Sequence, residues 1–111
     1  MSGRARLPQL DLLVLLALTR LGDEAYGLPI ARAIEEADGR GVPLASLYAA
    51  LSRLEKTGLV AARLGSPTSE RGGRAKRYFR LTPKGLREVR AAGRTFMRLW
   101  QHVPQLEGHR A

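Results

Sequence analysis

Between Gln9 and Gly58 the chain sets out three short helical stripes, each closed by a glycine-bearing turn, and this crowding of brief helices restricts its fold more than any other feature. Gln9 to Leu21 is apolar on nearly every side and stops at Gly22, which predicts a buried first helix. Gly27 to Ala37 repeats Ile30, Ala33, Ile34 and Ala37 at helical spacing, with Pro29 in the first turn and Arg32, Glu35 and Glu36 outward. After the turn Asp38-Gly39-Arg40-Gly41, a third helix starts at Pro43 or Leu44, carries Leu47, Ala50, Leu51 and Leu54 inward, and stops at Thr57-Gly58. Three such helices in about fifty residues point to a helix-turn-helix core. A chain of 111 residues has room for one such domain and no second core.

The pattern then changes period. Leu59 to Leu64 and Ala75 to Leu81 read as two strands around a Gly/Ser/Pro/Thr-rich stretch from Gly65 to Gly73, hence a β-hairpin. An isolated hairpin is marginal, so this one is expected to pack on the helices through Leu59, Leu64, Phe79 and Leu81. Thr82-Pro83 is a hydroxyl N-cap followed by proline at the first helical position, opening a fourth helix that can run to His102. Along it Leu86, Val89, Gly93, Phe96, Trp100 and Val103 are spaced alternately three and four apart, a heptad-like seam suited to a second helix. The expected fold is mainly α with a small β-hairpin. Residues 1–82 form a winged helix-turn-helix DNA-binding domain, 83–104 a C-terminal dimerisation helix of the same structural unit, and 105–111 a frayed tail.

Charge is distributed one-sidedly. Up to Gly58 seven Lys/Arg balance seven Asp/Glu, whereas from Leu59 onward twelve Lys/Arg face only Glu70, Glu88 and Glu107, so the whole net charge of +9 lies in the second half. Such concentration implies a polyanionic partner, double-stranded DNA first among them. On the third helix Ala45, Ala49, Ser52 and Lys56 lie opposite the leucines, flanked by Ser46, Tyr48 and Arg53. Small residues let a helix backbone approach base edges in a major groove, while Arg and Lys reach guanine or phosphate. The plainer alternative is that small outward residues merely favour helix. The hairpin adds Arg71, Arg74, Lys76, Arg77 and Arg80 against Glu70, too many cations for edge protection alone.

The third-helix run Ser46-Leu47-Tyr48-Ala49-Ala50-Leu51-Ser52-Arg53-Leu54-Glu55-Lys56-Thr57-Gly58-Leu59-Val60, the Tyr26-Gly27 pair, and Gly73-Arg74-Ala75-Lys76-Arg77-Tyr78-Phe79-Arg80-Leu81-Thr82-Pro83-Lys84-Gly85 together resemble the PadR-like transcriptional regulators from Leu10 to Leu99. The resemblance implies a homodimeric regulator, usually a repressor. Its third helix would enter the major groove, its wing would meet the DNA backbone or the minor groove, and its last helix would dimerise. It also implies that a small aromatic effector can bind at the dimer interface. Two departures are visible: Pro43 stands where the family has a capping hydroxyl, and a single helix follows the wing, as in the short members. Leu86, Val89, Gly93, Phe96, Trp100 and Val103 are the expected dimer contacts. Phe96 and Trp100 are read first as dimer-core aromatics and second as walls of a ligand site.

Other chemistries find no support. The chain has no cysteine, and His102 and His109 lack ligand partners at metal spacing, so neither cofactor nor metal is expected. No nucleophile, acid–base pair or phosphate loop suggests an enzyme. The longest apolar run, Leu12 to Leu18, is too short for a bilayer, and Met1-Ser2-Gly3-Arg4 leads into no cleavage pattern, so a cytoplasmic protein without membrane contact is expected. The alternatives to a regulator are a non-specific nucleic-acid-binding protein and a basic module for an acidic protein partner.

Overall fold

The computed structural model describes residues 7–65 and 76–107. Four helices and one hairpin follow in order: α1 (Gln9–Leu21), α2 (Gly27–Asp38), α3 (Leu44–Lys56), β1 (Val60–Leu64), β2 (Arg77–Leu81) and α4 (Pro83–Trp100), with a last single turn, α5 (Pro104–Glu107). One 3-10 turn, Gly22–Glu24, separates α1 from α2. The strands pair antiparallel with Val60 opposite Leu81 and Leu64 opposite Arg77. This is the winged-helix arrangement expected from the sequence.

Leucine and isoleucine at helical spacing make one core. Leu15, Ile30, Leu47, Leu51 and Leu54 are the largest fully buried side chains, and Leu59, Val60 and Phe79 join them from the hairpin. The chain turns from α3 into β1 through a Schellman motif, in which the amide of Leu59 donates to the carbonyl of Leu54 (2.9 Å) and that of Gly58 to Glu55 (3.1 Å). Gly58 sits at φ 81°, a backbone state open to glycine at no steric cost. β2 is held on its other edge by the amide of Phe79 donating to Ala25 (2.8 Å), which binds the wing to the turn before α2.

Thr82 roots α4. Its hydroxyl donates to Gly58 (2.6 Å) and accepts from the amide of Gly85 (3.0 Å), while its own amide donates to Leu59 (3.1 Å). Lys84 adds a bond from its ammonium to the carbonyl of Thr57 (3.0 Å). Gly85 lies against the Leu59 carbonyl so closely that a Cβ there would overlap it.

Four expectations need correction. Leu64 does not pack on the helices and is 70% exposed, because burial falls along β1 as the hairpin runs out beyond the core. Ala37, in the last turn of α2, is likewise exposed. α4 stops at Trp100 rather than His102, since Gln101 is extended and His102 has φ 66°. The first three residues of the expected frayed tail, 105–107, belong to a helical turn that starts at Pro104, and residues 108–111 lie outside the described residues.

Candidate nucleic-acid interface

α3 shows one face to the core and the other to solvent. Leu47, Ala50, Leu51 and Leu54 are buried, whereas Ala45, Ser46, Tyr48, Ala49, Ser52, Arg53 and Lys56 are exposed. The helix starts at Leu44 with Pro43 as its N-cap and no side-chain cap bond. Tyr48 reaches back over the start of α2, and its hydroxyl occupies the place a Cβ on Gly27 would take. That contact gives the Tyr26-Gly27 pair a physical reason. Any larger residue at 27 would push Tyr48 off α2.

The cations differ in how they are held. Arg53 grips Asp11 with both ends of one edge, Nε to Oδ2 at 3.2 Å and Nη2 to Oδ1 at 2.6 Å. Asp11 stands in the first turn of α1 and is 2% exposed, while the Arg53 side chain remains 51% exposed. The hydrogen bond to Asp11, opposed by desolvation and aided by the neighbouring carboxylate charge, holds the Arg53 guanidinium above its ordinary value. Arg77 reaches Glu55 through Nη2 alone, which donates to both carboxylate oxygens (3.0 and 2.9 Å) and fastens the wing to the end of α3. This second pair is partly exposed and contributes about 0–1 kcal/mol. Among the described residues Lys56 has no ion-pair partner.

An aromatic base supports the wing. Tyr26 and Tyr78 meet edge to face at 5.3 Å, with Lys76 over the Tyr26 ring at 4.5 Å and Arg63 over the Tyr78 ring at 4.6 Å. The Lys76 ammonium also donates to the Tyr26 hydroxyl (3.4 Å). Such stacking holds long cations in place at small cost in rotamer freedom. Arg71 and Arg74, at the expected wing tip, lie outside the described residues.

The α4 seam divides. Val89 packs against the domain's own core and Leu86 is half-buried, whereas every residue from Gly93 to Trp100 is exposed. Phe96 (57%), Met97 (50%), Leu99 (71%) and Trp100 (47%) form an open apolar end, with Val103 half-buried beyond it. Asp11, Glu55 and the Tyr26–Tyr78 base were not found from sequence. A lone aspartate in the apolar stretch Gln9 to Leu21 was the one available signal, since a charge in a buried helix requires a partner. Among the described residues no three His, Cys, Asp or Glu come together as metal ligands, and no helix is long and apolar enough to cross a membrane.

The profile of the "Transcriptional regulator PadR-like family" matches residues 14–91. No curated protein matches the chain. Among solved structures, a PadR family transcription regulator from hypervirulent Clostridium difficile superposes with a TM-score of 0.72 at 22% identity, covering 91% of this chain and 100% of that one. A transcriptional regulator from Clostridium thermocellum gives 0.67 at 26% identity over 81% and 82% of the two chains. RosR from H. salinarum gives 0.69 at 25% identity over 93% and 86%.

Proposed function

The chain belongs to the PadR-like family of transcriptional regulators, and from that premise we propose that it is a homodimeric repressor, binding a near-palindromic operator through α3 and the wing. The family makes it a DNA-binding regulator of transcription and not an enzyme. One observation carries the finer reading: the exposed face of α3 carries the small residues Ala45, Ser46, Ala49 and Ser52, with Lys56 at its end and Tyr48 at its flank, drawn back over Gly27. Arg53, Lys76 and Arg77 flank that face, each held by a partner. Two copies joined through α4 would present two such faces to successive major grooves roughly 34 Å apart. A DNA partner supports a cytoplasmic location.

Footprinting on the protein's own upstream region tests this reading. A protected near-palindrome is the expected result, and uniform protection without a site would favour a non-specific coat instead. Both Phe96 and Trp100 are open on a single protomer, so a pocket for an aromatic effector would need walls from the second copy.

Two measurements bear on the contacts. Lys56→Ala is expected to weaken operator and scrambled DNA alike, and replacing Arg74, Lys76 and Arg77 together should flatten the log–log salt dependence by about 0.9 per lost phosphate contact. An unchanged slope in the triple variant would remove the wing from the DNA backbone.

Gly93 offers a test of dimer packing. It is exposed and nothing lies within 4 Å of where its Cβ would stand. Gly93→Ala should therefore favour the helix in one chain by about 0.5–1 kcal/mol. If two α4 helices pack closely there, the same change weakens the dimer in sedimentation. A dimer unaffected or tightened by it places the crossing point elsewhere on α4.

A further inference from the structure

The pair between Asp11 and Arg53 joins the start of α1 to the exposed side of α3, 42 residues away in sequence. Stability alone explains it weakly, because the Arg53 side of the pair is half exposed and solvent screens it. What the pair does to Arg53 is more specific. A guanidinium has five N–H donors in a rigid fork, and Asp11 takes one from Nε and one from Nη2. The Nη1 and remaining Nη2 donors lie on the edge away from Asp11, on a side chain that is half exposed. That free edge is the one an arginine uses to grip guanine O6 and N7, or two oxygens of a phosphate.

From this geometry we infer that Asp11 is a positioning residue that sets the sequence specificity of DNA binding by acting on Arg53. The inference rests on the reading of α3 as the recognition element. Asp11 has two effects on its partner. It fixes the plane of the guanidinium, so the free edge is presented in one orientation instead of sweeping the surface. It also cancels the arginine's charge with a buried carboxylate. Arg53 therefore keeps directional donors while adding little to the charge that attracts any DNA. Arg77 is held by Glu55 through Nη2 alone, which leaves its plane free to turn, and that acceptor is itself partly exposed and exchanges more readily with water.

The two effects separate in one experiment. The probes are a duplex selected by the parent protein from a random pool and a scrambled duplex of equal length, each titrated across a salt series by fluorescence anisotropy. Asp11→Asn frees a cation, so scrambled DNA should bind more tightly and its salt slope should steepen by about 0.9. The ratio of selected to scrambled affinity should fall about tenfold, the scale of one misplaced base contact. Arg53→Lys keeps a charge beside Asp11 but has no fork, and should lower the ratio without steepening the slope. If Asp11→Asn does not fold, the lysine variant carries the test.

Asp11→Asn combined with Arg53→Gln should match Arg53→Gln alone, since Asp11 acts through that arginine. The inference is overturned if Asp11→Asn weakens both duplexes by one factor in step with its thermal midpoint, or if the lysine variant keeps the parent's ratio. A parent that selects no sequence from the pool overturns the recognition reading as well. A parent that selects one, with variants indistinguishable from it, overturns this inference alone.

Discussion

A Phe96→Asp, Trp100→Asp double variant is expected to sediment as a monomer at micromolar concentration and to lose operator binding by a factor of about 10²–10⁴. The argument is one of uncovered surface. α4 has eighteen residues and so extends about 27 Å, but its contact with the core is confined to the first half, where Gly85 is buried and Leu86 and Val89 are half-buried. Phe96, Met97, Leu99 and Trp100 are then left together in water. Covering each against a second copy contributes about 1.5–3 kcal/mol, enough in sum to offset the entropy of association. The loss of affinity follows from valency. A dimer's second half-site binds at an effective concentration that a monomer lacks, which accounts for the range given. A double variant that still dimerises and binds would show that α4 is not the joint.

Gly85→Ala, eight residues earlier in the same helix than Gly93, should act in the opposite sense. Alanine favours a helix by about 1 kcal/mol over glycine, but here its Cβ would enter the Leu59 carbonyl and press on Leu81, whose Cδ2 lies 3.1 Å from the position. A backbone carbonyl cannot rotate aside as a side chain can. The helix has to shift, and overpacking of this kind costs typically 1–3 kcal/mol. For a domain of this size the thermal midpoint should fall on the order of 10 °C. An unchanged midpoint would mean that α4 is free to slide at its root, and the fixed geometry described for Thr82 would then be wrong.

Much of the architecture is legible from local pattern. Leu47, Leu51 and Leu54 select the buried side of α3 by spacing alone, and Thr57-Gly58-Leu59 contains its own stop signal, with glycine at the left-handed position and leucine returning to the core. Thr82-Pro83 marks the start of α4 for a similarly local reason. What escaped depends on distance. Leu64 looks like a core residue in its strand, and only the reach of the hairpin beyond the helices leaves it exposed. Val89 fits a heptad and also fits the chain's own core, a choice decided by where α4 is anchored. Arg53 reads as a free cation on an outer face until Asp11 is seen behind it. Spacing within a helix reports which side a residue is on and is silent about which neighbour lies across the fold.

The bonds around Thr82 have a mechanical meaning. Its hydroxyl and amide, with the ammonium of Lys84, clasp the root of α4 to the carbonyls of Thr57, Gly58 and Leu59, which close off α3. The rod that would meet the partner is thus bolted to the rod that would meet the groove. In a dimer of such rods, a rotation of roughly 10° at the root would carry the far end of a helix about 27 Å long by about 5 Å. That is more than the rise of one base pair, about 3.4 Å per step along a strand. The half-site spacing such a dimer would accept would therefore be gauged by a few hydrogen bonds at this corner, whose stiffness would set how many neighbouring spacings it tolerates.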